Sequence, residues 1–270
     1  MIPAPPRRSD GAVARYVTGV VITVVAILSQ YFVPELWPAT RVLYGNLPGD
    51  LFIVYGIPVI SFAVLVGAGP LRAWASRIGT AAVEGLRWYG LLSVLALVIV
   101  LFLAIGYEIV DPAALKLLNR PNPALTQAMG DPWFWVGFSF VVGAFEETIF
   151  RGWIYGFWQS RAASWLTPAI GSSAIFAGVH LYYGTTYGIA APLIFPGLFL
   201  LGFAFAATYR FSGGNLVVVA LLHGANDATA FYTLINSTLG VVLHYVLIFV
   251  GVIVAVVLYA RRPSPPIPTI

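Results

Sequence analysis

The sequence has no cysteine, only three histidines, and so little charge that Asp, Glu, Lys and Arg make up 9% of its 270 residues. The missing cysteines exclude a disulfide framework, a thiolate nucleophile and any Cys-ligated metal site. The shortage of charge excludes an ordinary soluble domain, in which about 25% of residues are charged. With 60% hydrophobic residues, a water-exposed fold would be apolar over most of its surface and would aggregate. A nucleic-acid partner is excluded as well. The formal charge of +4 is modest, and the arginines lie between apolar runs instead of clustering. What is left is a protein whose solvent is the bilayer.

A membrane crossing needs about 20 mostly apolar residues. Eight segments qualify as candidates, at 14–33, 51–69, 87–110, 132–159, 168–183, 187–209, 215–233 and 239–260. They predict an all-α, polytopic membrane helical bundle. Asp131-Pro132 and Thr167-Pro168 each set a capping side chain before a proline suited to the first helical position. Gly213-Gly214 followed by Asn215 does similar work before the seventh segment, and Pro192 and Pro196 predict a kink in the sixth. The first segment is too long for a signal-peptide core and has no small-residue cleavage site after it, so a retained helix is expected.

With the N-terminus inside, eleven arginines (7, 8, 15, 72, 77, 87, 151, 161, 210, 261 and 262) fall on the cytoplasmic side, against Arg41, Lys116 and Arg120 outside. That bias predicts both termini in the cytoplasm. Residues 1–12 and 261–270 are Pro-rich polar tails, and 13–260 form one transmembrane domain, since no repeat recurs at a fixed period. Within 70–86, Leu71, Trp74 and Ile78 share a side, as in a short amphipathic helix on the cytoplasmic interface.

Charge within a bilayer is costly and marks function by default. Seven ionisable side chains fall well inside the predicted spans, away from their ends: Glu146, Glu147, Arg151, His180, His223, Asp227 and His244. All but His244 sit in three stretches, GAFEETIFRG, IFAGVH and LLHGAND. Helical spacing places Glu147 with Arg151, and His223 with Asp227, four apart on one face. Glu146 lies about 100° round its helix and faces another neighbour. His180, roughly 18 Å into its span, can share a mid-membrane layer with Glu146 and His223. His244 has no acidic partner nearby and is expected to make a structural hydrogen bond. Trp133, Trp153 and Trp158 are expected at the interface or in packing, and Gly178 and Gly184 at close helix contacts.

No serine stands beside a base as a nucleophile would. Carboxylates, imidazoles and an amide suit the activation of water, with an imidazole and a polar side chain stabilising the oxyanion. The same donors could hold zinc with a water in the open position, or relay protons in a coupled transporter. A structural ion pair at Glu147–Arg151 is the plainer alternative, but two adjacent carboxylates with one arginine leave one acid over. Residue chemistry alone reaches an intramembrane hydrolase or a proton-coupled carrier. The transporter is disfavoured by the lack of paired broken helices in two halves, and a silent immunity or scaffold protein by three intact motifs.

These stretches resemble the motifs of the CAAX prenyl protease and bacteriocin-processing (CPBP, Abi) family of intramembrane proteases. EExxxR corresponds to Glu146, Glu147 and Arg151; FxxxH to Phe176 and His180; and HxxxN or HxxxD to His223 and Asp227, with Asn226 just before the aspartate. The resemblance covers roughly residues 130–235 as a catalytic core. It implies Glu146 as general base acting with His180 on water, His223 and Asp227 as the oxyanion site, and Glu147 braced by Arg151. It also implies a peptide or membrane-protein substrate in a prokaryotic plasma membrane, with no obligatory cofactor. Where eukaryotic members have Asn, this chain has Asp227. An ionised aspartate repels an oxyanion, so Asp227 has to be protonated, orient His223, or join Glu146, His180 and His223 around a metal ion such as Zn2+.

Overall fold

The computed structural model describes residues 10–40, 47–76, 79, 83, 132–181 and 191–235, and all regular structure among them is helical. Helix α1 is Asp10–Leu36. Helix α2 runs without a break through Leu47–Leu51, the π-helical turns Phe52–Gly56 and Ile57–Leu65. A short helix, α3 (Gly69–Ser76), follows at 104° to α2. Helix α4 is also composite, with Pro132–Glu147, a π-helical segment Thr148–Tyr155 and Gly156–Gln159. Then come α5 (Leu166–Val179), α6 (Ala191–Phe211) and α7 (Leu216–Ile235).

Six of the eight expected spans fall on these helices. The other two, 87–110 and 239–260, lie outside the described residues, as do residues 1–9 and 261–270 of the tails, His244, Asp131, Ile78 and Gly184. Residues 10–12 of the expected N-terminal tail belong to the first turn of α1. Fewer full crossings are evident than expected. Among the described residues one stretch, Asp10–Gln30, is long and apolar enough to cross a bilayer alone, and a second qualifies if α2 and α3 form one broken span. Helix α5, with 14 residues, reaches only about 21 Å, short of a hydrocarbon core of about 30 Å. Helix α4 has the length, but Glu146, Glu147 and Arg151 reduce its apolarity.

The outward face of α1 suits lipid. Val13, Val17, Val21 and Val25, spaced four apart, are 45–60% exposed, an apolar stripe along one side of the helix. Its inward face packs on α2 and α4: Tyr16 stacks on Phe157 at 3.9 Å, and Gly19 sits so close to the Phe62 ring that an added Cβ would come within 2.8 Å of it. The π-helical segment of α4 is buried on every side, from Thr148 through Tyr155. Trp153 is fully buried with its indole N–H donating to the Gly67 carbonyl at 2.8 Å, so it packs the core and does not belong to an interface belt. Trp158 is half-buried beside Tyr16, and the Trp133 side chain lies outside the described set. Trp74 of α3 turns toward the bundle, its indole donating to Thr148 Oγ1 at 2.7 Å.

Two capping expectations have different outcomes. Asn215 caps α7 as expected, its Oδ1 accepting from the N–H groups of Val217 (3.1 Å) and Val218 (3.2 Å). The preceding turn takes Gly213 and Gly214 through positive φ, 71° and 78°, where a Cβ would be strained. Thr167 does not cap α5. The helix starts at Leu166, whose N–H donates to Ser164 Oγ at 3.2 Å, and Pro168 falls inside the first turn, where no intrahelical N–H is needed.

The contact that positions the site is between α4 and α7. A Cβ on Gly143 would lie 2.8 Å from both the Ala220 carbonyl and the Gly224 nitrogen, and one on Gly224 would lie 2.7 Å from the Phe140 Cα. The two backbones touch there, as small residues permit between membrane helices. Gly178, expected to play this part, does not: a Cβ on it would meet nothing within 4 Å. The close approach belongs to the glycines flanking the acidic pair and the second histidine.

Candidate active site

One turn past Gly143, α4 presents Glu146 and Glu147, and one residue before Gly224, α7 presents His223. The helix contact therefore sets carboxylates against imidazole. His223 is 3% exposed, its ring stacked on Phe205 at 4.8 Å and met edge-on by Phe176 at 5.7 Å. His223 Nδ1 lies 2.7 Å from Glu147 Oε1. The same carboxylate oxygen accepts from Arg151 Nη1 at 3.0 Å. Arg151 in turn donates through Nη2 to the Gly202 carbonyl of α6 at 2.7 Å and lies 4.9 Å over the Phe176 ring. Glu147 and Arg151 are both fully buried. One guanidinium thus ties α4 to α6 while its carboxylate partner orients a histidine on α7.

His180 stands where α5 ends. Its backbone leaves helical geometry (φ −96°, ψ 4°) and its N–H bonds back to the Ala177 carbonyl, three residues earlier. The Phe176 carbonyl lies 2.7 Å from His180 Nδ1. A carbonyl can only accept, so Nδ1 bears the proton and neutral His180 offers a lone pair at Nε2.

Glu146 occupies the middle. Its Oε1 accepts from the Tyr55 hydroxyl at 3.1 Å. Its Oε2 is buried without a hydrogen-bond partner among the described residues and lies 3.7 Å from His180 Nε2 and 3.8 Å from His223 Nε2. Those separations exceed a direct hydrogen bond and suit a bridging water. On the far side of His223, Asp227 Oδ2 is 3.4 Å from Nε2. The Asn226 amide donates to Asp227 Oδ1 at 3.4 Å. The Asp227 side chain is 25% exposed, more than any other member of the cluster.

Every residue singled out from the three motifs, Phe176 and Asn226 included, therefore lies in this cluster. Glu146 and Glu147 face different sides as their 100° offset predicts, yet His223 touches both environments through its two nitrogens. Sequence reasoning missed three contributors. Gly202 supplies only a carbonyl, and Phe205 looks like any apolar residue of α6, so neither carries a signal. Tyr55 carries a weak one, a phenol in the middle of the apolar run LFIVYGIPV.

Residues 128–229 match the family model described as type II CAAX prenyl endopeptidase Rce1-like. That segment is similar to the CAAX protease family. The matched segment holds α4 to most of α7, and with them all three motifs, while α1, α2 and α3 precede it. The match to this family of membrane-embedded peptidases supports an integral membrane protein of the peptidase class. Neither a curated protein nor a solved structure gives a significant match to the chain.

Proposed function

We propose that this chain is an intramembrane endopeptidase in which Glu146 and His180 activate a water for attack on a peptide bond. The observation that supports the reading is the unsatisfied Glu146 Oε2, buried and facing two imidazole nitrogens at 3.7 and 3.8 Å. A water between Oε2 and His180 Nε2 gives its proton to the carboxylate as its oxygen bonds to the carbonyl carbon. The carbonyl oxygen becomes an oxyanion, stabilised by an N–H donated from His223 Nε2. Glu147, braced by Arg151, holds the ring through Nδ1, and Asp227 lies 3.4 Å from Nε2, where it orients the imidazole. The C–N bond then breaks and Glu146 returns the proton to the leaving amine. The resulting carboxylic acid passes its own proton to that amine, so the products leave as carboxylate and ammonium. The direct test compares the proteomes of membranes containing wild-type chain and Glu146→Ala. One uncleaved precursor should accumulate in the variant, and identical membrane proteomes would refute the assignment.

A metal-dependent variant has one observation in its favour. Both histidines engage Nδ1 with an oxygen and direct Nε2 inward, as metal-ligating histidines do. Glu146, His180, His223 and Asp227 would hold the ion, which would act as a Lewis acid on the peptide carbonyl. Against it, the Glu147–Arg151 pair places a positive charge close to where the cation would sit, so the metal-free route is preferred. Purified wild type should contain no stoichiometric zinc, and Asp227→Asn, which keeps size and adds a donor, should retain substantial activity whether or not a chelator is present. Zinc bound one-to-one and lost in Asp227→Asn together with activity would reverse the preference.

Both termini are placed on the cytoplasmic side of a prokaryotic plasma membrane, from the arginine asymmetry and an even number of crossings, eight in all. A reporter fused after Ile270 should be active in the cytoplasm. Activity confined to the outer side would require an odd number.

A further inference from the structure

The hydrogen bond from Tyr55 to Glu146 joins residues 91 positions apart, and Tyr55 lies outside the segment that matches the family model. It lies where α2 winds as a π-helix, over Phe52–Gly56, a wide turn that often marks functional positions. The ring is held independently of its hydroxyl. It stacks on Phe145, the neighbour of Glu146, with centroids 5.4 Å apart and planes 16° from parallel.

The two oxygens of a glutamate are chemically equal, and the torsion that exchanges them is soft. In this cluster they are not equivalent in surroundings. Oε1 accepts from Tyr55, while Oε2 alone faces the two Nε2 atoms. A carboxylate free to rotate would direct the wrong oxygen, or neither, at the water for part of the time.

We infer that Tyr55 is a positioning residue for hydrolysis: its hydroxyl fixes Glu146 Oε1 so that Oε2 is the oxygen that takes the proton. The inference rests on the assignment of Glu146 as the base. It also gives α2, which has no recognisable motif, a defined part in the reaction. The phenol acts through the carboxylate and does not touch substrate, so its removal reduces the rate of the chemical step and leaves substrate binding unchanged.

The test uses membranes containing full-length wild type, Tyr55→Phe, Tyr55→Leu and Glu146→Gln. The probe is an internally quenched farnesylated peptide ending in a Cys-aliphatic-aliphatic-X sequence or, if that is not cleaved, the precursor that accumulates with Glu146→Ala. Tyr55→Phe keeps the stacked ring and deletes only the hydrogen bond. Its kcat should fall about ten- to a hundredfold, the range for one hydrogen bond to a charged group, with KM and the amount of folded protein unchanged. Tyr55→Leu, which loses the stacking too, should be no more active than Tyr55→Phe. A Tyr55→Phe kcat within about twofold of wild type, beside an inactive Glu146→Gln, overturns the positioning role alone. A raised KM with unchanged kcat also overturns it, by placing the phenol against substrate. If Glu146→Gln is itself active, the assignment of the base fails, whatever Tyr55 does.

Discussion

Alanine at Glu146 or at His180 should yield a chain that inserts and folds yet cleaves nothing measurable. General acid–base residues contribute about 10²–10⁴-fold, and here both members of the proton-transferring pair would be lost one at a time. Folding should survive because each truncation removes polarity from the bundle. Glu146 Oε2 has no hydrogen-bond partner among the described residues, and the His180 Nδ1 contact is to a carbonyl one turn back on its own helix. The measurement is kcat against folded protein, quantified by monodisperse elution in detergent. More than about a tenth of wild-type activity in either variant would remove that residue from the chemistry.

Arg151→Ala should fail differently, through loss of folded protein. The guanidinium is fully buried between Glu147 Oε1 and the Gly202 carbonyl. Its removal strands a carboxylate and a carbonyl and opens space against Phe176 and Phe205. Breaking a buried ion pair from one side costs about 3–5 kcal/mol, a large share of a stability of about 5–15 kcal/mol. The expected result is a marked fall in extractable, monodisperse protein, with activity falling in step. Arg151→Lys should restore little, because one ammonium cannot reproduce the planar fork that reaches two acceptors on two helices. Normal yields with a pure loss of kcat would mean that Arg151 acts on substrate.

The sequence already showed the site more clearly than the membrane topology. Seven ionisable residues in an apolar chain are conspicuous because hydrocarbon tolerates so few, and helical spacing was enough to pair Glu147 with Arg151 and His223 with Asp227. The Glu147–His223 contact could not be read, since it depends on how closely α4 and α7 approach. That distance is set at Gly143 and Gly224, which look no different in sequence from Gly178, where no neighbour comes near. The winding of Thr148–Tyr155 as a π-helix was also hidden, because no residue type demands it. Span boundaries were the weakest expectation: apolar runs show where helices lie, but α5 is too short to cross alone and α2 gives way to α3 through a 104° bend.

Side-chain exposure in the cluster rises from nothing at Glu147 and Arg151, through 3% at His223, 9% at Glu146 and 11% at His180, to 25% at Asp227. This order is also a gradient of dielectric response. At the dry end charges interact strongly and reorganise little, which suits a fixed scaffold. At the wet end polar partners can exchange with solvent, which suits the entry of water and the departure of a new carboxylate. Asp227 thus stands at the threshold of the cluster, the member through which the buried groups meet their surroundings.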